Sequence, residues 1–147
     1  MRVYVDSNIL IASAVSVEEN GNNCRRLLTL LAQGKATGLT SALTFDEVFY
    51  QIKHEISCEA AVNMLENLLA MPNLEFLNVD TGVLRASLSL LKRHNIEPRD
   101  AIHAATSMLA GADVFVTEDK NLFKITELAA VGVKEVISKI GKESENQ

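Results

Sequence analysis

The sequence predicts an α/β fold with three layers, in which a mostly parallel sheet of about five strands is flanked by helices. Two observations carry this prediction. Short apolar runs rich in β-branched residues alternate with longer segments whose apolar residues recur every three to four positions. Strands that alternate with helices form parallel sheets, because each helix returns the chain across one face of the sheet.

The first half of the chain is predicted to contain two strands and four helices. Leu27, Leu28 and Leu31 show helical spacing, and Gly34 stands where a helix would end. Phe45 and Phe49 belong to a second such series. The predicted strands are 2–5 and 37–41, the helices are 8–15, 24–32, 42–54 and 57–70, and a polar loop covers 18–23.

The second half is predicted to continue the alternation of strands and helices. Asp80 is suited to cap a helix, and Gly111 follows an alanine-rich helix. The predicted strands are 74–79, 113–117 and, with the weakest pattern, 133–140, and the helices are 83–94, 99–109 and a short one at 121–128. Residues 1–140 therefore form one predicted domain, and the polar segment 141–147 is expected to be a flexible tail.

Composition restricts the class of protein. The chain has 147 residues, 48% of them hydrophobic and 22% charged, which fits a single folded domain. Its net charge of −5 argues against an extended surface for binding polyanions. Cys24 and Cys58 show no metal-ligand spacing, so we expect reduced core thiols in a cytoplasmic protein. No apolar stretch approaches the length of a membrane span.

Four acidic residues stand where predicted strands end or helices begin. Asp6 follows the first strand, Asp119 follows the strand at 113–117, and Glu47 and Asp100 lie near the starts of helices. In open α/β sheets, ligands bind outside the carboxyl ends of the strands. Carboxylates gathered at that edge repel one another, and a hard divalent cation is the simplest group that would neutralise them.

Each of these acids also has an ordinary structural interpretation. Asp6 could cap a helix, and Thr44 with Glu47 matches a capping box. Asp100 in a first helical turn complements the helix dipole, and Asp119 stands in a turn-rich segment. Any one acid alone is weak support for a site, whereas all four at one expected sheet edge favour a shared function.

The helix that carries Asp100 has a single polar line. Asp100, His103 and Ser107 lie on an otherwise apolar helix, which indicates that this line faces a cleft. We expect His103 to be a hydrogen-bonding partner of the site rather than a metal ligand, since no other His or Cys lies at ligand spacing. Arg99, next to Asp100, is the basic residue best placed to contact a substrate.

Four segments together resemble PIN-domain ribonucleases, in particular the small VapC-type toxins of prokaryotic toxin–antitoxin pairs. The matching segments are Val-Asp-Ser-Asn-Ile-Leu at 5–10, Ser-x-x-Thr-x-x-Glu at 41–47, Arg-Asp-Ala-Ile-His-Ala-Ala at 99–105 and Val-Thr-Glu-Asp-Lys-Asn-Leu-Phe at 116–123. They span nearly the whole chain in the family's order. The resemblance implies a PIN-like fold, Mg²⁺- or Mn²⁺-dependent RNA cleavage, and a homodimer held inactive by an antitoxin protein.

The resemblance also implies roles for individual residues. Asp6, Glu47, Asp100 and Asp119 match the family's acidic quartet, which holds the metal and carries catalysis. The residues that match its supporting polar positions are Ser7, Asn8 and Thr117. Many members have an aspartate where this chain has Asn121, so we expect weaker binding of a second metal ion here.

Three other functions compete with a nuclease. A response-regulator receiver would use Asp80 after the third strand but needs an acidic pair after the first, which Asp6 does not provide. A dehalogenase-like phosphatase needs a second aspartate where Asn8 stands. The alternative retained is a catalytically weak or inactive PIN-like module that binds RNA or protein. The apolar helices at 24–32 and 57–70 are candidate surfaces for a second copy or an antitoxin helix, and plain core packing accounts for them equally well.

Overall fold

A five-stranded parallel sheet forms the centre of the protein, as the sequence predicts. The computed structural model describes all residues from Met1 to Gln147. The strand order in the sheet is β3-β2-β1-β4-β5, and every neighbouring pair is parallel. The strands are β1 (Arg2–Val5), β2 (Thr37–Ser41), β3 (Leu74–Leu77), β4 (Val114–Val116) and β5 (Ala130–Val131).

Seven helices connect and cover the strands. A single 3-10 turn, Leu122–Lys124, lies between β4 and β5. The helices are α1 (Ser7–Val15), α2 (Glu19–Ala32), α3 (Leu43–Glu55), α4 (Cys58–Ala70), α5 (Thr81–Arg93), α6 (Pro98–Leu109) and α7 (Val133–Glu145).

Side chains of the central strands alternate between two apolar layers. Val3 and Val5 of β1 face a core formed with α1, α2, α3, α4 and α7. Tyr4 faces the opposite core, which is formed with α5 and α6. This period of two along each strand builds the predicted three-layer arrangement, with helices on both faces of the sheet.

The structure corrects three sequence-based assignments. The segment 133–140 is helical rather than a strand, because Val133, Val136 and Ile140 lie on one buried helical face. The last strand is instead the two-residue β5, and only one 3-10 turn forms within the helix predicted at 121–128. The polar segment 18–23 is the first part of α2 from Glu19 onward, not a loop.

The carboxyl-terminal segment continues the last helix. α7 extends to Glu145, so most of the segment 141–147 is helical. The amino-terminal nitrogen of Met1 lies 3.6 Å from Glu143 Oε2, which places this end of α7 beside the start of β1. Flexibility of the segment remains a prediction.

Two further features concern the whole chain. Both cysteines are free thiols, and Cys24 is buried as expected, whereas Cys58 at the start of α4 is exposed and lies outside the core. None of the helices has the length and apolar character needed to span a bilayer.

Replacing Ile140 with Ala tests whether α7 belongs to the core. Ile140 is 1% exposed and packs in the larger apolar cluster, so the change should destabilise the protein by about 2–5 kcal/mol in urea unfolding. Ser138→Ala, on the exposed face of the same helix, is the control and should shift stability by less than about 0.5 kcal/mol. Equal unfolding midpoints for the two variants would show that α7 does not stabilise the core.

Candidate active site

The carboxyl ends of β1 and β4 bring Asp6 and Thr117 side by side. Val5 pairs with Val116, and each strand then continues into one of the two polar residues. The backbone N–H of Asp6 donates to the carbonyl of Val116 at 3.0 Å, which extends the ladder by one bond. Parallel pairing of central strands therefore fixes the centre of the candidate site.

Asp6 is a buried carboxylate held by three donors. Its Oδ1 accepts from the Ser7 backbone N–H at 2.8 Å, so Asp6 also caps α1. Its Oδ2 accepts from the Thr117 hydroxyl at 2.7 Å and from Asn8 Nδ2 at 3.3 Å. The capping and functional interpretations of Asp6 are therefore compatible. Oδ1 caps α1 through the Ser7 N–H, whereas Oδ2 is held by Thr117 and Asn8 from the candidate site.

Asn8 leaves one buried polar atom without a partner. Its Nδ2 donates to Thr117 Oγ1 at 3.0 Å as well as to Asp6. Its Oδ1 is buried and accepts no hydrogen bond. An unpaired amide oxygen beside a buried carboxylate is costly unless a cation or water binds there.

Asp119 is joined to the same network through the backbone. Its N–H donates to Thr117 Oγ1 at 3.0 Å, while its Oδ1 accepts from the Asn121 N–H at 2.9 Å. Asp119 Oδ1 therefore stabilises a turn through the Asn121 N–H, as the turn interpretation of Asp119 expects. The side chain of Asn121 is exposed and makes no hydrogen bond, so only its backbone belongs to the network.

Glu47 reaches the site from α3. Leu43 begins this helix, and the Thr44 hydroxyl bonds to Thr40, so the predicted capping box does not form. Glu47 Oε1 instead makes a hydrogen bond with His103 Nε2. The same Nε2 lies 4.0 Å from Asp6 Oδ1, so the Glu47 and Asp6 carboxylates both approach this ring nitrogen.

α6 supplies the remaining candidates. Pro98 at its first turn is followed by the exposed Arg99 and the half-buried Asp100. His103, one turn further on, is 1% exposed and matches the expected role of a hydrogen-bonding partner. Arg99 makes no salt bridge or hydrogen bond, so its guanidinium is free to contact a ligand.

Tyr4 completes the site, although it is not among the residues that the sequence predicts there. Its hydroxyl lies 2.8 Å from His103 Nδ1, and its ring stacks on Phe115 with centroids 4.9 Å apart. The signal available in the sequence was a tyrosine between two valines of a buried strand, since a buried hydroxyl needs a hydrogen-bond partner.

Negative charge is concentrated among these residues. Burial raises the pKa of Asp6, although the charge of His103 and the Thr117 hydrogen bond oppose this rise. Burial, followed by the charges of Asp119 and Asp6, raises the pKa of Asp100 to about 6. Burial by itself would lower the pKa of His103, but the Glu47 hydrogen bond and the charge of Asp6 reverse this and raise it. The acids are therefore close enough to influence one another's ionisation.

The donor set fits a hard divalent cation. Carboxylate and amide oxygens are the ligands that Mg²⁺ and Mn²⁺ prefer, and Asn8 Oδ1 is unpaired. In the metal-free protein no three His, Cys, Asp or Glu side chains stand at coordination spacing. Binding one cation through three of these acids would therefore require their side chains to move.

Asp80 lies apart from this cluster. β3 is an edge strand, and Asp80 after it caps α5 by accepting from the Val83 N–H at 3.0 Å. A receiver-like sheet would place its third strand beside β1, with the order 2-1-3-4-5. The observed order therefore excludes the response-regulator interpretation.

A parallel α/β sheet with acids gathered at the carboxyl edge of its central strands defines a class of proteins with oxygen-rich sites at that edge. Within that class the family is specific: the PIN domain model matches residues 3–128. The chain belongs to the PIN domain family.

Solved structures support the same fold. The chain is similar to VapBC2 from Rickettsia felis bound to a promoter DNA fragment, with a TM-score of 0.71, 19% identity and coverage of 90% of this chain and 98% of that one. It is also similar to VapC20 from Mycobacterium tuberculosis, a sarcin–ricin loop cleaving toxin, with a TM-score of 0.71, 16% identity and coverage of 84% and 95%. The chain is likewise similar to DNA-bound VapBC from Salmonella typhimurium, with a TM-score of 0.70, 17% identity and coverage of 90% of this chain and 98% of that one. A comparison with curated proteins finds no match.

Replacing Asp100 with Asn tests the charge crowding in metal-free protein. The folded-state pKa of Asp100, about 6, lies above its ordinary value of 3.8, so the wild type loses stability as pH rises between these values. Asn cannot ionise and avoids this loss. In chelator, the variant should gain about 1 kcal/mol relative to wild type between pH 4 and pH 7, after allowance for solvent screening.

Urea unfolding at several pH values measures this difference. Asp46→Asn, at an exposed position of α3, is the matched control and should show no such gain. A stability difference between Asp100→Asn and wild type that stays constant with pH would contradict the crowding of charge.

Proposed function

We propose that this protein is a divalent-metal-dependent endoribonuclease that hydrolyses RNA phosphodiester bonds as the toxin of a toxin–antitoxin pair. The observation that carries the proposal is the acidic cluster around buried Asp6, with the unpaired Asn8 Oδ1 beside it. Membership of the PIN domain family supports nuclease chemistry for such a cluster. The low identity of the solved neighbours leaves the substrate and partners as parts of the proposal.

Asp6, Glu47, Asp100 and Asp119 are the proposed metal-holding and catalytic residues. A bound Mg²⁺ or Mn²⁺ would supply a water of lowered pKa and neutralise charge on the phosphate. Thr117, Ser7 and Asn8 fix the direction of the Asp6 carboxylate through their hydrogen bonds. The carboxylate of Asp100 or Asp119 would accept the proton of the attacking water.

RNA is the proposed substrate, in single-stranded or loop form. Unpaired segments expose their backbone, so their phosphates can approach the acids at the sheet edge. Arg99 is the proposed phosphate contact because it is exposed, unpaired and adjacent to Asp100. The net charge of −5 is consistent with binding through the metal and a few local cations rather than through a basic surface.

Two protein partners form part of the proposal: a second copy in a cytoplasmic homodimer, and an antitoxin that inhibits it. Structural neighbours include a toxin–antitoxin complex from Klebsiella pneumoniae. Exposed apolar side chains support a partner surface on α4, where Val62 and Leu69 are 42% and 57% exposed. They continue into Phe45 of α3 around a groove of about 260 Å³. By contrast, Leu27 and Leu31 of α2 point into the core, so α2 supports this surface less.

A module that binds RNA or protein without cleaving it is the second candidate. Asn121 favours it, since this position lacks the charge that many PIN domains carry and its side chain lies outside the hydrogen-bonded cluster. Calorimetry without detectable Mg²⁺ or Mn²⁺ binding at millimolar concentrations would favour this module over the nuclease.

Removing the metal or the central carboxylate should abolish RNA cleavage. We expect purified protein to cut RNA in Mn²⁺, to lose this activity in excess chelator, and to regain it when Mn²⁺ is restored. Asp6→Asn should reduce cleavage below detection while the protein stays folded, because it removes a charge that the metal requires and relieves repulsion in the metal-free state.

Asp46→Asn provides the matched control for this experiment, since it makes the same chemical change at an exposed position. It should cleave RNA at the wild-type rate. Cleavage that persists in chelator, or in Asp6→Asn, would rule the mechanism out. A large fall in the melting temperature of Asp6→Asn would instead show that its main role is to cap α1.

A further inference from the structure

A buried chain of hydrogen bonds ends on Glu47. It runs from the Tyr4 hydroxyl to His103 Nδ1 at 2.8 Å, and from His103 Nε2 to Glu47 Oε1. Tyr4 and His103 are 0% and 1% exposed. The chain connects β1, α6 and α3, which are far apart in sequence and lie in different layers of the fold.

Glu47 depends on this chain more than Asp6 does. Asp6 is a short side chain held by Ser7, Asn8 and Thr117. Glu47 has one more rotatable bond, and its carboxylate makes its only hydrogen bond with His103. Without that bond, its carboxylate would sample several rotamers at the end of a flexible side chain.

The imidazole of His103 can hold the Glu47 carboxylate whether the ring is neutral or protonated. A carboxylate only accepts hydrogen bonds, so Nε2 carries the hydrogen in either protonation state of the ring. The Tyr4 hydroxyl can donate to a bare Nδ1 or accept from a protonated one. Tyr4 itself is fixed by its stack on Phe115, with an interplanar angle of 13°. The ring orientation is therefore set from the rigid centre of the sheet.

We infer that Tyr4 and His103 are positioning residues that set the place of the Glu47 carboxylate in the metal site. This inference rests on the proposed function for the identity of the site. Both residues act through Glu47 in this role, because the Tyr4 hydroxyl contacts His103 Nδ1 and His103 Nε2 contacts the Glu47 carboxylate. Partners that orient a metal-binding carboxylate in this way commonly change metal affinity 10- to 100-fold when removed.

Tyr4→Phe in the full-length protein tests the inference. It removes the hydroxyl and keeps the ring that stacks on Phe115. We expect calorimetry without RNA to give a Kd for Mn²⁺ at least about tenfold higher than that of wild type. The melting temperature in chelator should stay within a few degrees of wild type. Tyr50→Phe, which removes the same hydroxyl from the exposed tyrosine of α3, should bind Mn²⁺ as wild type does.

A folded Tyr4→Phe protein with the wild-type Kd for Mn²⁺ would overturn the inference. If Tyr4→Phe fails to fold, two substitutions of His103 decide instead. His103→Gln keeps an N–H donor that can reach Glu47, whereas His103→Leu does not. The Gln variant should bind Mn²⁺ more tightly than the Leu variant, and equal affinities would overturn the inference.

RNA cleavage by the same proteins separates this inference from the proposed function. Wild type that binds Mn²⁺ without cutting RNA, together with weakened Mn²⁺ binding in Tyr4→Phe, would overturn the nuclease proposal and support the positioning role. Wild type that cuts RNA, together with unchanged Mn²⁺ binding in Tyr4→Phe, would support the nuclease proposal and overturn the positioning role. Wild type that binds no Mn²⁺ would overturn both.

Discussion

Negative charge held at the carboxyl edge of the central strands is the constraint on which the site depends. Asp6 is 4% exposed, and burial opposes its ionisation. Its charge is tolerated because Ser7, Asn8 and Thr117 donate to it. A buried carboxylate without these donors would remain protonated, since an unpaired buried charge is more costly than a protonated acid.

The surrounding acids increase the cost of negative charge at this edge of the sheet. Asp119 and Asp6 both raise the pKa of Asp100, and only His103 supplies positive charge within the cluster. In a cluster of structural ion pairs, the positive and negative charges would be equal in number. This cluster has four carboxylates and only one imidazole. An excess of buried and half-buried negative charge favours binding of a cation, and it disfavours folding by a small amount when no cation is bound. The metal-free protein is therefore less stable than it would be without this concentration of charge at its proposed functional site.

Local sequence patterns predicted most of the fold, but not the contacts between segments. β2 was predicted with its observed bounds because it is a short segment between two segments of helical spacing, although Leu39 is its only large apolar residue. β5 was missed because two residues carry no periodicity, and the polar start of α2 at Glu19 carries no apolar face until Cys24. The segment 133–140 was assigned to a strand because its β-branched residues suit a strand, although their spacing buries one helical face.

The candidate residues of the site were predictable for the same local reason. Asp6 and Asp119 follow strands, and the topology of a parallel sheet brings such positions together. The link from Tyr4 to His103 spans 99 positions and the link from His103 to Glu47 spans 56, so no local pattern specifies them. The pairing of Glu47 with His103, rather than with the backbone at the start of α3, is likewise a product of packing between layers.

Anomalous diffraction from crystals soaked in Mn²⁺ would show whether these acids bind a metal ion. An ion held by this edge of the sheet should give a peak at about 2.1 Å from an oxygen of Asp6, with Asp100 or Asp119 supplying a further ligand. The peak should vanish in crystals of Asp6→Asn. A manganese site elsewhere on the surface, or none at millimolar concentrations, would contradict the account of this cluster as a metal site.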